Sequence, residues 1–311
     1  MRIVTGDDIG SVCSWLFAVE ALRAGHVMAP ADLRDSLIES AGRKMLVRTA
    51  WIPGLASGVK AVTIYPDNPA GDPPRPSVQG QVLLFDEAHG HVVAVLEGVD
   101  LTAWKTAGDS ALGSSCLSRV DVKSMLMVGA GSMARPLIDA HRAVRPSLEH
   151  VMIWNRSRPR AEELAASLEA DGVRAEVVTD LDAAVARADL ISSATMSTEP
   201  LIRGARLRPG THVDLVGAYT PSMREADDAV LARGRLFVDS RATTIGHIGE
   251  VMIPMQSGAI TEADIEGDLH DLVQGRAARG SADEITVFKN GGGAHLDVMI
   301  AHAVYLALEG R

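Results

Sequence analysis

Aromatic side chains are scarce in this sequence: four Phe, four Trp and three Tyr amount to 4% of 311 residues. A recognition module built on aromatic anchors has little material here, and the Ala/Val/Leu/Gly runs resemble those of α/β enzymes. Cysteine is nearly absent too. Cys13 and Cys116 have no CxxC spacing and no histidine partner, which sets aside a disulfide framework and a structural zinc site and leaves two buried free thiols. Thirty Lys and Arg against forty Asp and Glu give a net charge of −10. With no basic stripe to offset it, nucleic acid is not an expected partner, because phosphate backbones are held by clustered Lys and Arg. No apolar run approaches ~18 residues, the length that spans a bilayer, and Met1–Asp8 lacks an apolar signal core. A cytoplasmic protein without a membrane partner is expected.

The remaining composition, 47% hydrophobic and 23% charged, is ordinary for globular chains, and the length suits one large or two medium domains. Thr5 or Asp7 can cap a helix whose apolar positions Ile9, Val12, Leu16 and Val19 recur at helical spacing and which Gly25 closes. Pro30 begins a second short element. From Met45 to Asp100, apolar runs at Val59–Tyr65, Gln81–Phe85 and Val92–Leu96 alternate with the turn clusters Pro66-Asp67-Asn68-Pro69 and Ala88-His89-Gly90, the texture of a small sheet. An Ala/Ser/Leu-rich helix over Ala103–Leu117 follows. Strands then alternate with helices: Ser124–Val128, a helix after Gly131, Val151–Trp154, a helix over Arg158–Ala170, Ala175–Val178, Leu190–Ser193, His212–Val216 and Leu236–Val238. Such alternation predicts an α/β fold with a doubly wound parallel sheet. A last helix over Gly291–Leu308 carries Leu296, Met299, Ile300, Ala303 and Val304 on one stripe.

Directly after an apolar strand, Gly129-Ala130-Gly131-Ser132-Met133-Ala134 fits G-x-G-x-x-A. Two glycines allow a tight turn and let a pyrophosphate approach the backbone, where the N-terminal amides of the next helix meet its charge. A plain tight turn is the alternative. The second strand ends in Asn155-Arg156-Ser157, where NAD-selective folds place a carboxylate for the ribose 2′-hydroxyl. Asn155, Arg156 and Ser157 can instead surround a 2′-phosphate, so NADP(H) is the expected cofactor in preference to NAD(H). Solvated arginines at a helix start are the plainer reading.

Strand alternation puts Lys60 on one face with Val62 and Ile64. A partly buried lysine there can protonate or bind a substrate nitrogen or carboxylate, whereas a lysine on an edge strand simply snorkels to water. Asp297, in the first turn of the last helix, favours the helix dipole. Histidines His247, His270, His295 and His302 lack metal-ligand spacing, and no metal is expected.

Gly58-Val59-Lys60, Tyr65-Pro66-Asp67-Asn68, Leu83-Leu84-Phe85-Asp86, Leu101 through Gly108, the Gly129-Ala130-Gly131 turn and Val287-Phe288-Lys289 with Gly292, Ala294 and Asp297 occur in this order. Together they resemble the ornithine cyclodeaminase/μ-crystallin family over nearly the whole chain. The resemblance implies a homodimer whose residues 1–118 with 289–311 form a discontinuous α+β substrate and dimerisation domain, beside a Rossmann domain over 119–288. It implies NAD(P)-linked chemistry at a carbon bearing an amino or imino group. Carried over by position, Lys60 and Arg34 bind the substrate carboxylate and Lys60 is also the candidate proton donor. The family's R-T-A-A motif stands here as Lys105-Thr106-Ala107-Gly108, so a point charge replaces a two-pronged carboxylate clamp. Lys105 and Asp297 join the implied substrate site; Thr106, Thr195, Gly217 and Gly292 join the implied cofactor site. Cyclodeaminases have an aspartate where this chain has Tyr219, a departure shared by ketimine reductases.

The expected activity is NAD(P)H-dependent reduction of a small cyclic imino acid, of the pyrroline- or piperideine-2-carboxylate type. The alternatives are ornithine cyclodeaminase, a linear amino-acid dehydrogenase, and a non-catalytic NADP-binding protein.

Overall fold

The computed structural model describes residues 1–311 and divides the chain into two units, Met1–Thr106 with Gly293–Arg311 and Ala107–Gly292. The first unit holds a six-stranded sheet of β1 (Arg2–Val4), β2 (Asp32–Ser40), β3 (Arg43–Ile52), β4 (Ala56–Ile64), β5 (Val78–Phe85) and β6 (Val92–Glu97), ordered β1-β6-β5-β4-β3-β2. Pairing from β2 to β6 is antiparallel and β1 joins β6 in parallel.

Two N-terminal helices stand where one is expected. Thr5 caps α1 (Gly6–Val12), and Ser14 caps α2 (Trp15–Val27) by accepting from the Phe17 amide. A second cap within the apolar repeat breaks it at Cys13, which periodicity alone does not register. Nor does Gly25 end the helix. It lies inside α2, where a Cβ would come within 2.4 Å of the Met299 side chain, so its small size serves close packing against the C-terminal helix Ala294–Leu308. The element after Pro30 is the long hairpin β2–β3, whose outer half is exposed on both faces.

β4 is an interior strand, which removes the edge-strand reading of Lys60. Antiparallel register sets Lys60 opposite Arg48 on β3 and Val82 on β5, and directly paired residues share a face. On that face Gly58 leaves room for the C-terminal helix: a Cβ there would meet Val298 Cγ2 at 2.6 Å. The glycine two positions before Lys60 therefore seats Val298, and with it Asp297.

Helix α3 (Gly98–Leu117) carries the chain from the first unit into the second, with the change at Thr106/Ala107 inside the helix rather than after residue 118. The second unit is an all-parallel eight-stranded sheet. Its strands are β7 (Ser124–Val128), β8 (His150–Trp154), β9 (Arg174–Val177), β10 (Leu190–Ser193), β11 (His212–Leu215), β12 (Arg235–Val238), β13 (Ile265–Gly267) and β14 (Thr286–Lys289). They are ordered β13-β12-β14-β11-β10-β7-β8-β9. The two halves wind outward from β7 and β10, so the crevice beyond the carboxyl ends of those strands is the topological switch point. β14, unassigned in the strand reading of the sequence, inserts between β11 and β12. Helices α4 (Ala134–Val144) and α5 (Arg158–Ala170) follow β7 and β8 as expected. No helix of the structure is long and apolar enough to cross a membrane.

Candidate active site

Within the first unit, three charged side chains from three distant segments converge. Lys60 on β4, Lys105 on α3 and Asp297 on the C-terminal helix are 8%, 5% and 1% exposed. Lys60 Nζ donates to Asp297 Oδ1 at 2.9 Å and to Thr102 Oγ1 at 2.6 Å. An ammonium has three hydrogens, so one of them remains. Lys105 Nζ lies 3.4 Å from Asp297 Oδ2. Burial opposes ionisation of Asp297, but the charges of Lys105 and Lys60 outweigh it and hold the carboxyl below its ordinary value.

Arg34 does not join this group. It sits on edge strand β2 paired with Thr49, one register position away from the row Asp35–Arg48–Lys60, and so faces the opposite side of the sheet. There it lines a cleft of about 600 Å³ with Trp51 and Phe85. The arginine on the Lys60 face is Arg48. Its guanidinium pairs with Asp35 at 2.8 Å, and its charge also reaches Asp297.

In the second unit the glycine turn closes the end of β7. Gly129 has φ +108°, a backbone that side chains resist, and a Cβ there would also strike Ala194 O at 2.8 Å. Gly131 faces open space, and the amides of Gly131, Ser132 and Met133 donate to no protein acceptor. Free amides in an open turn ahead of α4 fit a dinucleotide pyrophosphate. Asn155, at the end of β8, accepts from the Ala130 amide at 3.1 Å and donates to Ser157 O at 2.8 Å. Its amide thus ties the glycine turn to the loop after β8. Arg156 is exposed and makes no ion pair, and Ser157 makes no side-chain cap bond, which leaves both groups available to a phosphate. Thr195 and Gly217 follow β10 and β11 at the same edge of the sheet, with Thr195 Cγ2 against Gly129. Gly292 (φ +71°) donates its amide to Asp239. Thr106 is half-buried at the last position of the first unit, and Tyr219 is 64% exposed.

Glu225 and Glu250, fully buried beside Lys289, have no place in the sequence reading, which names Lys289 only within the Val287-Phe288-Lys289 motif. Burial raises the carboxyls of both glutamates, and the charge of Glu225 helps push Glu250 up to about 7. The signal for Glu225 was faint. It stands in Met223-Arg224-Glu225-Ala226-Asp227-Asp228, a stretch that reads as a solvated loop.

The chain is similar to known proteins over nearly its whole length. The chain is 50% identical over 308 residues to a Δ1-pyrroline-2-carboxylate reductase of Paracoccus denitrificans, covering 98% of this chain and 96% of that one. The fold matches the Thermococcus litoralis Δ1-pyrroline-2-carboxylate reductase in complex with NADH and L-proline with a TM-score of 0.90 and 29% identity, over 100% and 98% of the two chains. It matches the iminosuccinate reductase of Paracoccus denitrificans in complex with NAD+ with a TM-score of 0.91 and 29% identity, over 100% and 96%. The model of the ornithine cyclodeaminase/mu-crystallin family matches residues 19–311, and the chain belongs to that family.

Proposed function

We propose that this protein is an NADPH-preferring reductase of cyclic imino acids of the Δ1-pyrroline-2-carboxylate type, working as a cytoplasmic homodimer. The observation that carries the reading is the buried group itself: Lys60 on β4 and Lys105 on α3 both reach the Asp297 carboxylate, while Asp35 answers Arg48. Buried ammonium groups gathered at one place favour an anionic substrate group such as a carboxylate. Lys105, with Arg48 nearby, holds the carboxylate, and the remaining Lys60 hydrogen meets the imine nitrogen. A bound nicotinamide supplies the hydride for the imine carbon. Lys60 gives its proton to nitrogen, the C=N bond becomes an amine, and the neutral lysine is reprotonated from solvent. The relatives named as pyrroline-2-carboxylate reductases support the same substrate class. For the dimer, the support is Leu37, Ile38 and Met45, which are 53%, 61% and 42% exposed on the hairpin β2–β3, an apolar edge that water alone covers poorly.

The test is a spectrophotometric assay with Δ1-pyrroline-2-carboxylate. NADPH should be oxidised in stoichiometric amounts and proline should accumulate. L-Ornithine should release no ammonia, because the Tyr219 phenol cannot supply a carboxylate to handle the distal amine. Ammonia and proline from ornithine without net cofactor change would make the protein a cyclodeaminase instead.

A second expectation concerns the cofactor. Arg156 and Ser157 are unengaged at the end of β8, so NADPH should bind at least tenfold tighter than NADH, about 1.4 kcal/mol. Arg156→Ala should remove most of that difference in a fluorescence titration. Equal affinities in the unaltered protein would end the argument for a 2′-phosphate site.

A further inference from the structure

One buried carboxylate ties together two turns at the edge of the parallel sheet. Glu225 Oε1 accepts from Ser193 Oγ at 2.6 Å, from the Thr195 amide at 2.6 Å and from Thr195 Oγ1 at 2.7 Å. Its Oε2 accepts from the Gly217 amide at 2.6 Å. Four donors on one fully buried side chain demand an acceptor-only group, and an ionised carboxylate is the side chain that meets the demand. Its charge is answered by buried Lys289, whose Nζ donates to Leu215 O at 2.9 Å. The backbone of Glu225 is fixed in turn, since the Glu225 and Ala226 amides donate to Glu250 at 2.7 and 2.9 Å. The two turns touch. A Cβ at Gly217 would lie 1.9 Å from Thr195 O.

These turns end β10 and β11, on the far side of β7 from the Arg156 end of β8. In a doubly wound sheet with its pyrophosphate at the glycine turn and its adenosine ribose at the end of the second strand, that far side receives the nicotinamide half. The Thr195 hydroxyl proton is committed to Glu225. Its lone pairs can therefore only accept, and the N–H donor that half of the cofactor offers is the carboxamide NH2. We propose that Glu225 is a positioning residue for the nicotinamide half of the cofactor, holding the Thr195 and Gly217 turns together and turning the Thr195 hydroxyl into an acceptor for the carboxamide. This rests on the cofactor reading above.

Glu225→Gln keeps the shape but puts an NH2 against at least one of the four donors, whichever way the amide lies. The variant should bind NADPH at least tenfold more weakly than the unaltered protein in a fluorescence titration. It should also lose the preference for NADPH over its 3-acetylpyridine analogue, which lacks the carboxamide N–H. Asp189→Asn is the control. Asp189 accepts from the Lys123 and Ser124 amides at 2.8 and 3.0 Å, at the opposite, amino end of the same sheet. It should lower the unfolding temperature and leave both binding readouts within twofold. Thr195→Val, which removes the hydroxyl alone, should abolish the analogue preference even if Glu225→Gln fails to fold. Unchanged NADPH affinity in Glu225→Gln, equal weakening in Asp189→Asn, or an analogue preference that survives Thr195→Val would overturn the proposal. An unaltered protein that binds neither NADPH nor NADH would overturn the cofactor reading and this one together, an outcome distinct from the other three.

Discussion

Replacing Lys60 by methionine should lower kcat/KM for Δ1-pyrroline-2-carboxylate reduction by at least ~10²-fold, the lower range for losing a positioned acid. The substitution keeps the apolar stem against its β4 neighbours and removes only the ammonium. Asp297 keeps its contact with Lys105, 3.4 Å away, but its Oδ1 loses the hydrogen bond from Lys60. The variant should therefore unfold at a lower temperature, yet still fold and bind NADPH as before. Normal NADPH binding by the folded variant then assigns the lost activity to the imino-acid site rather than to the fold. Near-normal turnover by a folded Lys60→Met protein would reduce the residue to packing and remove the proton donor from the proposed reaction.

Asp297→Asn acts in the opposite sense, on stability before chemistry. It leaves Lys60 and Lys105, 8% and 5% exposed, with no anion between them. Breaking a buried ion pair by removing one partner typically costs about 3–5 kcal/mol. A large fall in unfolding temperature is expected. L-Proline, which brings a carboxylate, should restore more stability to the variant than it adds to the unaltered protein, as scanning calorimetry with and without proline would read. A variant as stable as its parent would show that the lysines need no counter-charge. The pH dependence follows from the depressed carboxyl of Asp297. A carboxylate whose folded pKa is lowered contributes its stability above the unfolded value, here 3.8, and loses it as pH falls through the lower folded one. The ion group thus contributes fully at neutral pH and is lost only in strong acid.

The legible parts of the molecule share a physical trait: their signals are local. The glycine turn, the strand before it and the helices after it lie within one stretch of chain, and the helix over Arg158–Ala170 stands at the expected bounds. Arg48 is the contrasting case. Only pairing of β3 with β4 places it opposite Lys60, and the pairing of β2 with β3 turns Arg34 to the other face. Spacing along the chain cannot see a one-residue shift in strand register. The hairpin that sets this register has no sequence signature, because its outer half is exposed on both faces and so carries no apolar alternation. Glu225 was hidden for a related reason, since an acidic residue among charged neighbours reads as solvated until four donors are found around it. Lys105 and Asp297 were named through family resemblance, and the structure adds that they meet each other as well as Lys60.

The placement of the C-terminal helix has a consequence for the order in which the molecule matures. The second unit is contiguous, Ala107–Gly292, whereas the first is closed by Gly293–Arg311. During synthesis the Rossmann unit has its whole sequence before the first unit receives Asp297 or the Val298 that seats over Gly58. Until then Lys60 lacks Asp297, and the contact that supplies it spans 237 positions of chain. Contacts of such separation form late, after the entropy of closing the intervening loop has been overcome. The nascent chain can thus acquire a finished parallel sheet while Lys60, the proposed proton donor, still waits for the last helix to arrive.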